Sequence, residues 1–220
     1  MSGKKHNFVV IGLGMFGRTI ATQLVSFGNH VLGIDSNEAR VNDVINEISE
    51  AVIADVRDEE SLREAGVDQY DVAVIAIGDD LESNVLCTMN VKLLGVETVW
   101  AKAMNPTHHR ILDRLGAARV IHPEEEIGQH VAQMLHNPLV RDYLNLGDGH
   151  YLVDLSIPED FEGKPLAELK LDDHEDIRVV GIMRGTEYLA GQDNDTVLEA
   201  DDKLLLLGQR DPLRDFSDSL

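Results

Sequence analysis

A glycine-rich turn directly after a short apolar run constrains the fold of this chain more than any other feature. The apolar run at residues 7–11 is followed by Gly12-Leu13-Gly14-Met15-Phe16-Gly17, and apolar residues then recur at helical spacing. In a strand–turn–helix setting, Gly12 permits the tight turn, Gly14 lets backbone amides approach a pyrophosphate, and Gly17 allows close packing of helix on strand. The N–H groups at the helix N-terminus favour an anion. The pattern predicts a nucleotide phosphate site that includes Met15 and Phe16.

A carboxylate follows the glycine turn at the distance that suits a ribose. Asp35 ends the second predicted strand, 18 residues after Gly17. A carboxylate there accepts hydrogen bonds from both ribose hydroxyls and repels a 2′-phosphate, which disfavours NADP. Ser36 or Asn37 caps the next helix, and we include Ser36 among the candidate nucleotide-binding residues.

Polar residues and a glycine end the next three predicted strands. Ligands of doubly wound folds lie beyond the carboxyl ends of the parallel strands. Asp55 ends the third strand, where it can contact the adenine or the ribose, and Gly78 and Asp79 end the fourth. Lys102 ends the fifth strand and is a candidate phosphate partner. For Asp55 and Asp79, capping of the following helices is an equally good interpretation.

Strand and helix patterns alternate six times up to about residue 137, which is typical of an α/β, Rossmann-like, doubly wound parallel sheet. Residues 138–149 then read as a connector that holds one short amphipathic helix. Residues 150–220 are richer in strand patterns, and we predict a small α+β unit there. The predicted domains are therefore 1–137, for nucleotide binding, and 150–220.

Charge and hydropathy exclude several classes of function. The 220 residues carry a formal net charge of −21, which repels nucleic acid and anionic lipid headgroups. The apolar runs are too short to cross a bilayer, and no secretory segment precedes the first strand. The single cysteine, Cys87, lies in an apolar helical stretch and is expected to be buried. These features predict a cytoplasmic protein.

The sequence offers no constellation of catalytic residues. No G-x-x-x-x-G-K-[ST] loop and no G-x-S-x-G turn is present, and the second unit has no histidine–carboxylate or lysine group that could act as acid and base. The best histidine candidates are His108, His109 and His122, which we interpret as surface or interface residues. The sequence favours a non-enzyme, with a small NAD(H)-dependent oxidoreductase as the alternative.

The chain resembles the RCK family of cytosolic regulators of potassium transport, of the KtrA/TrkA type, over almost its full length. Ile-His-Pro-Glu at 121–124 is the most family-specific of the matching segments, because generic Rossmann enzymes lack it. The other segments that carry the resemblance are Val10-Ile-Gly-Leu-Gly-Met-Phe-Gly17, His30-Val-Leu-Gly-Ile-Asp35, Ala73-Val-Ile-Ala-Ile-Gly78 and Trp100-Ala-Lys-Ala103. The acidic C-terminal part resembles the family's small regulatory and dimerisation subdomain.

The resemblance implies homodimers that assemble into an octameric ring beneath a membrane potassium-translocating subunit of the KtrB/TrkH type. It implies that ATP and ADP compete for the Rossmann cleft and that their exchange gates transport. Carried over by position, Lys102 would contact a phosphate, and Glu124 would help to hold Mg²⁺ or another divalent cation. The glycines at 12, 14 and 17 would hold the phosphates, and Asp35 the ribose. Glu124 can equally be a first-turn acid that the helix dipole favours.

The sequence departs from the family pattern at one position of the glycine turn. Relatives of the KtrA type usually carry arginine where this chain has Met15, and that arginine reaches a γ-phosphate across the dimer. Met15 has no charge and no donor. We therefore expect weak discrimination of ATP from ADP, with AMP or NAD(H) binding comparably. A nucleotide sensor that serves a different channel or an antiporter is a further alternative.

Overall fold

The computed structural model describes residues 6–137, 139–171, 174, 176–189 and 193–220. They form two compact units, Met1–Pro123 and Glu124–Leu220. This division precedes the limit at residue 137 that the sequence predicts for the first domain. The limits drawn from the sequence remain predictions.

The first unit is a parallel sheet with helices between its strands. Its strands are β1 Asn7–Ile11, β2 His30–Asp35, β3 Glu50–Ile53, β4 Val72–Ile75, β5 Thr98–Lys102 and β6 Arg119–Ile121. Its helices are α1 Met15–Ser26, α2 Glu38–Val44, α3 Glu59–Glu64, α4 Leu81–Leu93 and α5 Pro106–Arg114, with a 3-10 turn at Val67–Gln69. The strand order is β3-β2-β1-β4-β5-β6, which confirms the predicted Rossmann-like class.

The order of the strands places a cleft at the centre of the sheet. The chain moves outward from β1 to β3 and then returns to pair β4 with β1, so the direction of winding reverses between β1 and β4. Ligands of such sheets bind at this switch point, beyond the carboxyl ends of the strands. Val9, Val10 and Ile11 of β1 have no exposed surface, as expected for a central strand covered on both faces. The glycine turn at residues 12–17 follows β1 directly.

Side-chain caps begin most helices of this unit. Asn37, Asp58, Asp80 and Asn105 each accept a backbone N–H from the first turn of the helix that follows. The caps of α3 and α4 are therefore Asp58 and Asp80. The alternative interpretation of Asp55 and Asp79 as helix caps is wrong, because Asp58 and Asp80 occupy those two positions.

The second unit is an antiparallel sheet with a helix on either side of it in the sequence. Its elements are α6 Pro123–His136, β7 Val140–Gly147, β8 His150–Ser156, β9 Ile177–Arg184, β10 Glu187–Leu189, β11 Lys203–Gln209 and α7 Arg210–Ser219, with 3-10 turns at Glu159–Phe161 and Leu166–Leu169. The strand order is β10-β9-β11-β8-β7. This is the small α+β unit that the sequence predicts. Leu204, Leu206 and Phe216 are fully buried in its core.

Two elements of the second unit correct the sequence analysis. The predicted connector at 138–149 holds strand β7 instead of a short amphipathic helix. Asp148 and Gly149, both with positive φ, form the two-residue turn that joins β7 to β8. An Asp-Gly turn of this kind matches the twist of paired strands and thus favours a hairpin over a helix. Helix α7 was not predicted, although it buries Leu213 and Phe216.

Candidate nucleotide-binding site

The glycine turn fits closely against the end of β4. Gly12 has φ +94°, and a Cβ there would lie 3.1 Å from the carbonyl carbon of Ala76 and from the amide nitrogen of Ile77. A Cβ at Gly17 would overlap the Gly12 carbonyl oxygen. Larger residues at either position would push α1 away from the sheet. The turn therefore needs glycine at both positions, as the sequence predicts.

Gly14 serves a different purpose, because the space beside it is open. A Cβ there would meet no atom within 4 Å, and its φ of −62° suits any residue. Gly14 is also the N-cap of α1, and among the described residues no side chain caps this helix. The first i to i−4 bond runs from the Arg18 amide to the Gly14 carbonyl at 2.9 Å. The backbone N–H groups of residues 15–17 therefore lie at an uncapped helix N-terminus, and such a terminus favours the binding of an anion.

Lys102 reaches from β5 across β4 toward that helix terminus. Its Nζ lies 2.8 Å from the point that a Cβ on Gly78 would occupy, so a side chain at Gly78 would obstruct the lysine. The same Nζ lies 5.8 Å from the centre of the Phe16 ring in the first turn of α1. Three predicted site residues, Phe16, Gly78 and Lys102, are thus brought together at the switch point. An ammonium beside uncapped amides can bind phosphate oxygens.

Asp35 is almost fully buried and holds the glycine turn in place. Its Oδ2 accepts the Leu13 amide at 2.7 Å, and its Oδ1 accepts the Asn37 amide at 2.9 Å. The Arg40 guanidinium lies 3.4 Å from Oδ2. Asp35 therefore connects the turn after β1 to the start of α2. The carboxylate oxygens can accept further hydrogen bonds, so the predicted ribose contact is compatible with this role and remains a prediction.

The other predicted residues lie at the rim of the same sheet edge. Asp55 forms a two-bond ion pair with Arg57, at 2.9 and 2.7 Å, and these hydrogen bonds lower the pKa of Asp55 to about 2. Ser36 and Asp79 are exposed. Contacts of Asp55, Ser36 and Asp79 with a nucleotide remain predictions.

Met15, between the glycines, is 90% exposed in the first turn of α1. Arg18, one turn further along the helix, does not take the place of the family's arginine. Its guanidinium pairs with Glu47 at 2.7 Å.

Asn84 is a residue of this site that sequence reasoning missed. It lies in α4 with no exposed surface, and its Nδ2 donates to the carbonyl oxygens of Ile77 at 2.6 Å and Lys102 at 3.0 Å. The sequence feature that could have indicated Asn84 is a side-chain amide one turn before Cys87 and Thr88, on the face of α4 that is buried. That pattern shows burial, but only the tertiary structure identifies the two carbonyl partners.

Of the three histidines that the sequence predicts to be surface or interface residues, His108 differs in the structure. His108 is fully buried, accepts the Met104 amide at 3.4 Å, and has its pKa lowered by burial and by nearby His122. The surface interpretation of His108 is therefore wrong. His109 Nδ1 and His122 Nε2 lie 2.8 Å apart. The ring planes are 4° apart with centres at 5.1 Å, which places the rings edge to edge in one plane, joined by a hydrogen bond, rather than face to face.

No group of three or more potential metal ligands occurs in the described part of the chain. Glu124, the predicted cation ligand, lies exposed in the first turn of α6 together with Glu125 and Glu126. A cation there would need further ligands, such as phosphate oxygens, so this role remains a prediction. Cys87 is buried, and burial raises the pKa of its thiol, which keeps it unreactive as expected.

None of the helices in the described part of the chain is long and apolar enough to span a membrane.

The fold and the cleft together define a Rossmann-like unit joined to a small antiparallel unit. Two family models match the corresponding parts of the chain: the TrkA-N domain at residues 8–123 and the TrkA-C domain at residues 151–220. The Ktr system potassium uptake protein A of Vibrio alginolyticus is 35% identical over 97% of both chains. The Ktr system potassium uptake protein C of Bacillus subtilis is 34% identical over 93% of this chain and 92% of that protein. The chain belongs to the RCK family of potassium uptake regulatory proteins, of the KtrA/TrkA type.

Solved structures confirm the fold at lower sequence identity. The GsuK RCK domain matches 99% of this chain with a TM-score of 0.66 and 16% identity, and the chain spans 48% of its length. The GsuK channel bound to NAD matches 97% of the chain with a TM-score of 0.64 and 16% identity.

Proposed function

We propose that this protein is a cytoplasmic, adenine-nucleotide-binding regulatory subunit of a membrane potassium uptake system. Its control would come from a nucleotide that binds two conformations of the assembly with different affinity, since only differential binding shifts such an equilibrium. The names of the Ktr relatives support the link to potassium uptake.

The observation that carries the nucleotide-binding part is the phosphate cradle at the switch point. The open face of Gly14, the uncapped N-terminus of α1 and the Lys102 ammonium converge there. Together they supply backbone donors, a positive helix end and an ammonium charge. A diphosphate suits this combination because its oxygens can contact the amides and the ammonium at once.

ATP and ADP are the ligands we favour, with AMP or NAD(H) as further candidates. Met15 contributes no charge, and the Arg18 guanidinium is paired with Glu47, so neither residue supplies a guanidinium that would favour a third phosphate. NAD(H) deserves testing because the structurally similar GsuK channel has been solved bound to NAD. The buried carboxylate of Asp35 suits the ribose of any of these ligands. Mg²⁺ or another divalent cation is a further candidate ligand, with Glu124 as the proposed protein ligand at the dimer interface.

The assembly part of the proposal is a homodimer that builds an octameric ring under a potassium-translocating membrane subunit of the KtrB/TrkH type. Exposed apolar side chains on α4 support a docking role for this helix. They are Leu81, Met89 and Leu93. The protein would then sit at the inner face of the membrane through its partner, without a catalytic role of its own.

Calorimetric titration with ATP, ADP, AMP and NADH, with and without Mg²⁺, tests the nucleotide-binding part. We expect micromolar binding of ATP or ADP without turnover, and a loss of about tenfold or more in affinity for Lys102→Ala. Lys203→Ala, in the second unit, is the matched control and should bind as the wild type does. Tight binding of NADH alone would overturn the ATP/ADP proposal, and hydride transfer to a carbonyl substrate would revive the oxidoreductase alternative.

The assembly part needs a separate measurement. Light scattering should give a mass far above 24.3 kDa for the purified chain. A monomer at all concentrations would remove the support for a ring.

A further inference from the structure

Asn84 joins the carboxyl ends of two neighbouring strands. The pairing of β4 with β5 ends at Ile75 and Ala101, so the carbonyls of Ile77 and Lys102 lie beyond the last paired residues of that ladder. Both accept a hydrogen bond from the Asn84 amide nitrogen, at 2.6 and 3.0 Å. Because only the NH₂ end of the amide has two donors, these two carbonyl partners fix which way the side chain faces.

The two strand ends that Asn84 joins are the ones that form the wall of the cleft. The Ile77 amide nitrogen is next to Gly12, at 3.1 Å from the position of a Cβ there. Lys102 extends its ammonium from the other strand end over Gly78 toward α1. A change at Asn84 would therefore remove its bonds to the Lys102 carbonyl and to the segment that leads to Gly78, and would leave the Lys102 backbone held by its pairing with β6. The Lys102 backbone and the segment before Gly78 together determine the position of the Lys102 ammonium.

The side-chain amide of Asn84 is only partly hydrogen-bonded. Its Oδ1 is buried and accepts no hydrogen bond from any of the described residues. This buried acceptor costs free energy, whereas the NH₂ group of the same side chain satisfies the carbonyls of Ile77 and Lys102. Thr88, one turn later on the same buried face, satisfies its hydroxyl on the Asn84 carbonyl at 2.8 Å. Of these two buried polar side chains of α4, Thr88 has its hydroxyl hydrogen-bonded, whereas the Oδ1 of Asn84 has no donor among the described residues.

We propose that Asn84 is the positioning residue of the nucleotide site: it ties β4 to β5 so that the Lys102 ammonium stands where the phosphates bind. This inference rests on the proposed function, since it needs a nucleotide in the cleft. Asn84 does not itself contact the phosphates. It acts through Lys102, so the effect of losing Asn84 depends on whether the lysine is present.

A double-mutant cycle on ADP affinity tests this dependence. The variants are Asn84→Leu, which keeps the branched shape but removes the donors, Lys102→Ala, and the two combined. We expect Asn84→Leu to weaken ADP binding about tenfold, and to have little further effect once Lys102 is alanine. Thr88→Val is the control for disturbing the buried face of α4 and should bind ADP as the wild type does. Asn84→Ser, which keeps one donor, should lie between the wild type and Asn84→Leu, and it serves as the test variant if Asn84→Leu does not fold.

The possible outcomes separate the two proposals. Wild-type affinity in Asn84→Leu, full additivity with Lys102→Ala, or an equal loss in Thr88→Val would each overturn the positioning role while leaving nucleotide binding intact. Failure of the wild-type protein to bind ADP would overturn the proposed function itself. A loss that disappears in the Lys102→Ala background supports the role of Asn84.

Discussion

The two units use buried polar residues in different ways. In the first unit, buried polar side chains gather where the parallel strands end: Asp35 holds the glycine turn and Asn84 the ends of β4 and β5. In the second unit, Asp202 is fully buried but accepts hydrogen bonds from Arg184 at 2.9 and 2.8 Å and from the Glu199 amide at 2.8 Å. The buried polar residues of the first unit hold the backbone around the cleft, whereas Asp202 fixes the loop before β11 to Arg184 of β9.

This difference predicts which changes affect ligand binding and which affect only stability. Polar groups at the switch point leave donors and acceptors directed at a ligand. The cluster around Arg184 satisfies its own charges, since the guanidinium also contacts Glu199 and the Val197 carbonyl. We therefore expect substitutions in the first unit to change nucleotide affinity, and substitutions around Asp202 to change the free energy of unfolding alone.

The largest effect is expected at the glycine turn, where two glycines can be compared. Gly17→Ala should abolish nucleotide binding and lower the free energy of unfolding by about 3 kcal/mol, because its Cβ would overlap the Gly12 carbonyl oxygen. Gly14→Ala should leave the fold nearly unchanged, since the space beside Gly14 is open, yet weaken binding by blocking the approach of phosphate. Chemical denaturation and calorimetry measure the two quantities. Equal loss of stability in both variants would contradict the division of roles between these glycines.

The next effect concerns the second unit alone. Asp202→Ala should lower the free energy of unfolding by about 2–3 kcal/mol, less than for a fully enclosed pair because Arg184 is 28% exposed. Desolvation raises the pKa of Asp202, but hydrogen bonds from Arg184 and the Glu199 amide outweigh it and hold that pKa below its usual value. The stabilisation is thus present above the unfolded pKa of about 4 and is lost as the pH falls through the folded pKa.

Chemical denaturation of Asp202→Ala measures the loss of stability, and titration of the same variant with ADP shows whether ligand binding changes as well. Glu168→Ala, at an exposed acid in the 3-10 turn Leu166–Leu169, serves as the control and should leave stability unchanged. If Asp202→Ala also weakens ADP binding severalfold while the protein remains folded, then Asp202 affects ligand binding as well as stability, contrary to the expected division between the units.

The first unit was largely predictable from the sequence, whereas in the second the α+β class was predicted but strand β7 and helix α7 were not. Apolar strands, glycine stops and the turn at residues 12–17 are local signals, and they predict the strand–turn–helix arrangement that the structure has at the switch point. In β7, Leu144 and Leu146 are more than half exposed, so the strand shows no buried alternate face that a pattern could reveal. In α7, Pro212 interrupts the helical pattern, although proline is tolerated in a first turn. Asn84 was missed because its two carbonyl partners, Ile77 and Lys102, lie at separate strand ends that only the fold brings to one side chain.

Acidification provides a third comparison, because the first unit holds a buried histidine. Burial, together with nearby His122, lowers the pKa of His108, so the unfolded chain binds a proton before the folded one does. The contribution of His108 to stability is therefore fully present above the unfolded pKa of about 6.5 and is lost as the pH falls below it. In His108→Asn, which keeps an acceptor for the Met104 amide, the melting temperature should fall less between about pH 7.5 and pH 5.5 than in the wild type. An identical fall in both proteins would show that His108 does not carry this dependence.

The smallest effect is expected at Met15, and it sharpens the account of the cleft. Met15 is 90% exposed, so Met15→Arg should cost no stability and should add a guanidinium beside the N-terminus of α1. We expect the ratio of ATP to ADP affinity to rise about fivefold, because a third phosphate gains a charged partner that a diphosphate does not reach. Met15→Leu is the control, and its affinity ratio should equal that of the wild type. A rise in ADP affinity as large as that for ATP would mean that the new charge attracts both nucleotides equally and makes no specific contact with the third phosphate. The wild-type preference would then depend on the cradle of amides and Lys102 rather than on the residue at position 15.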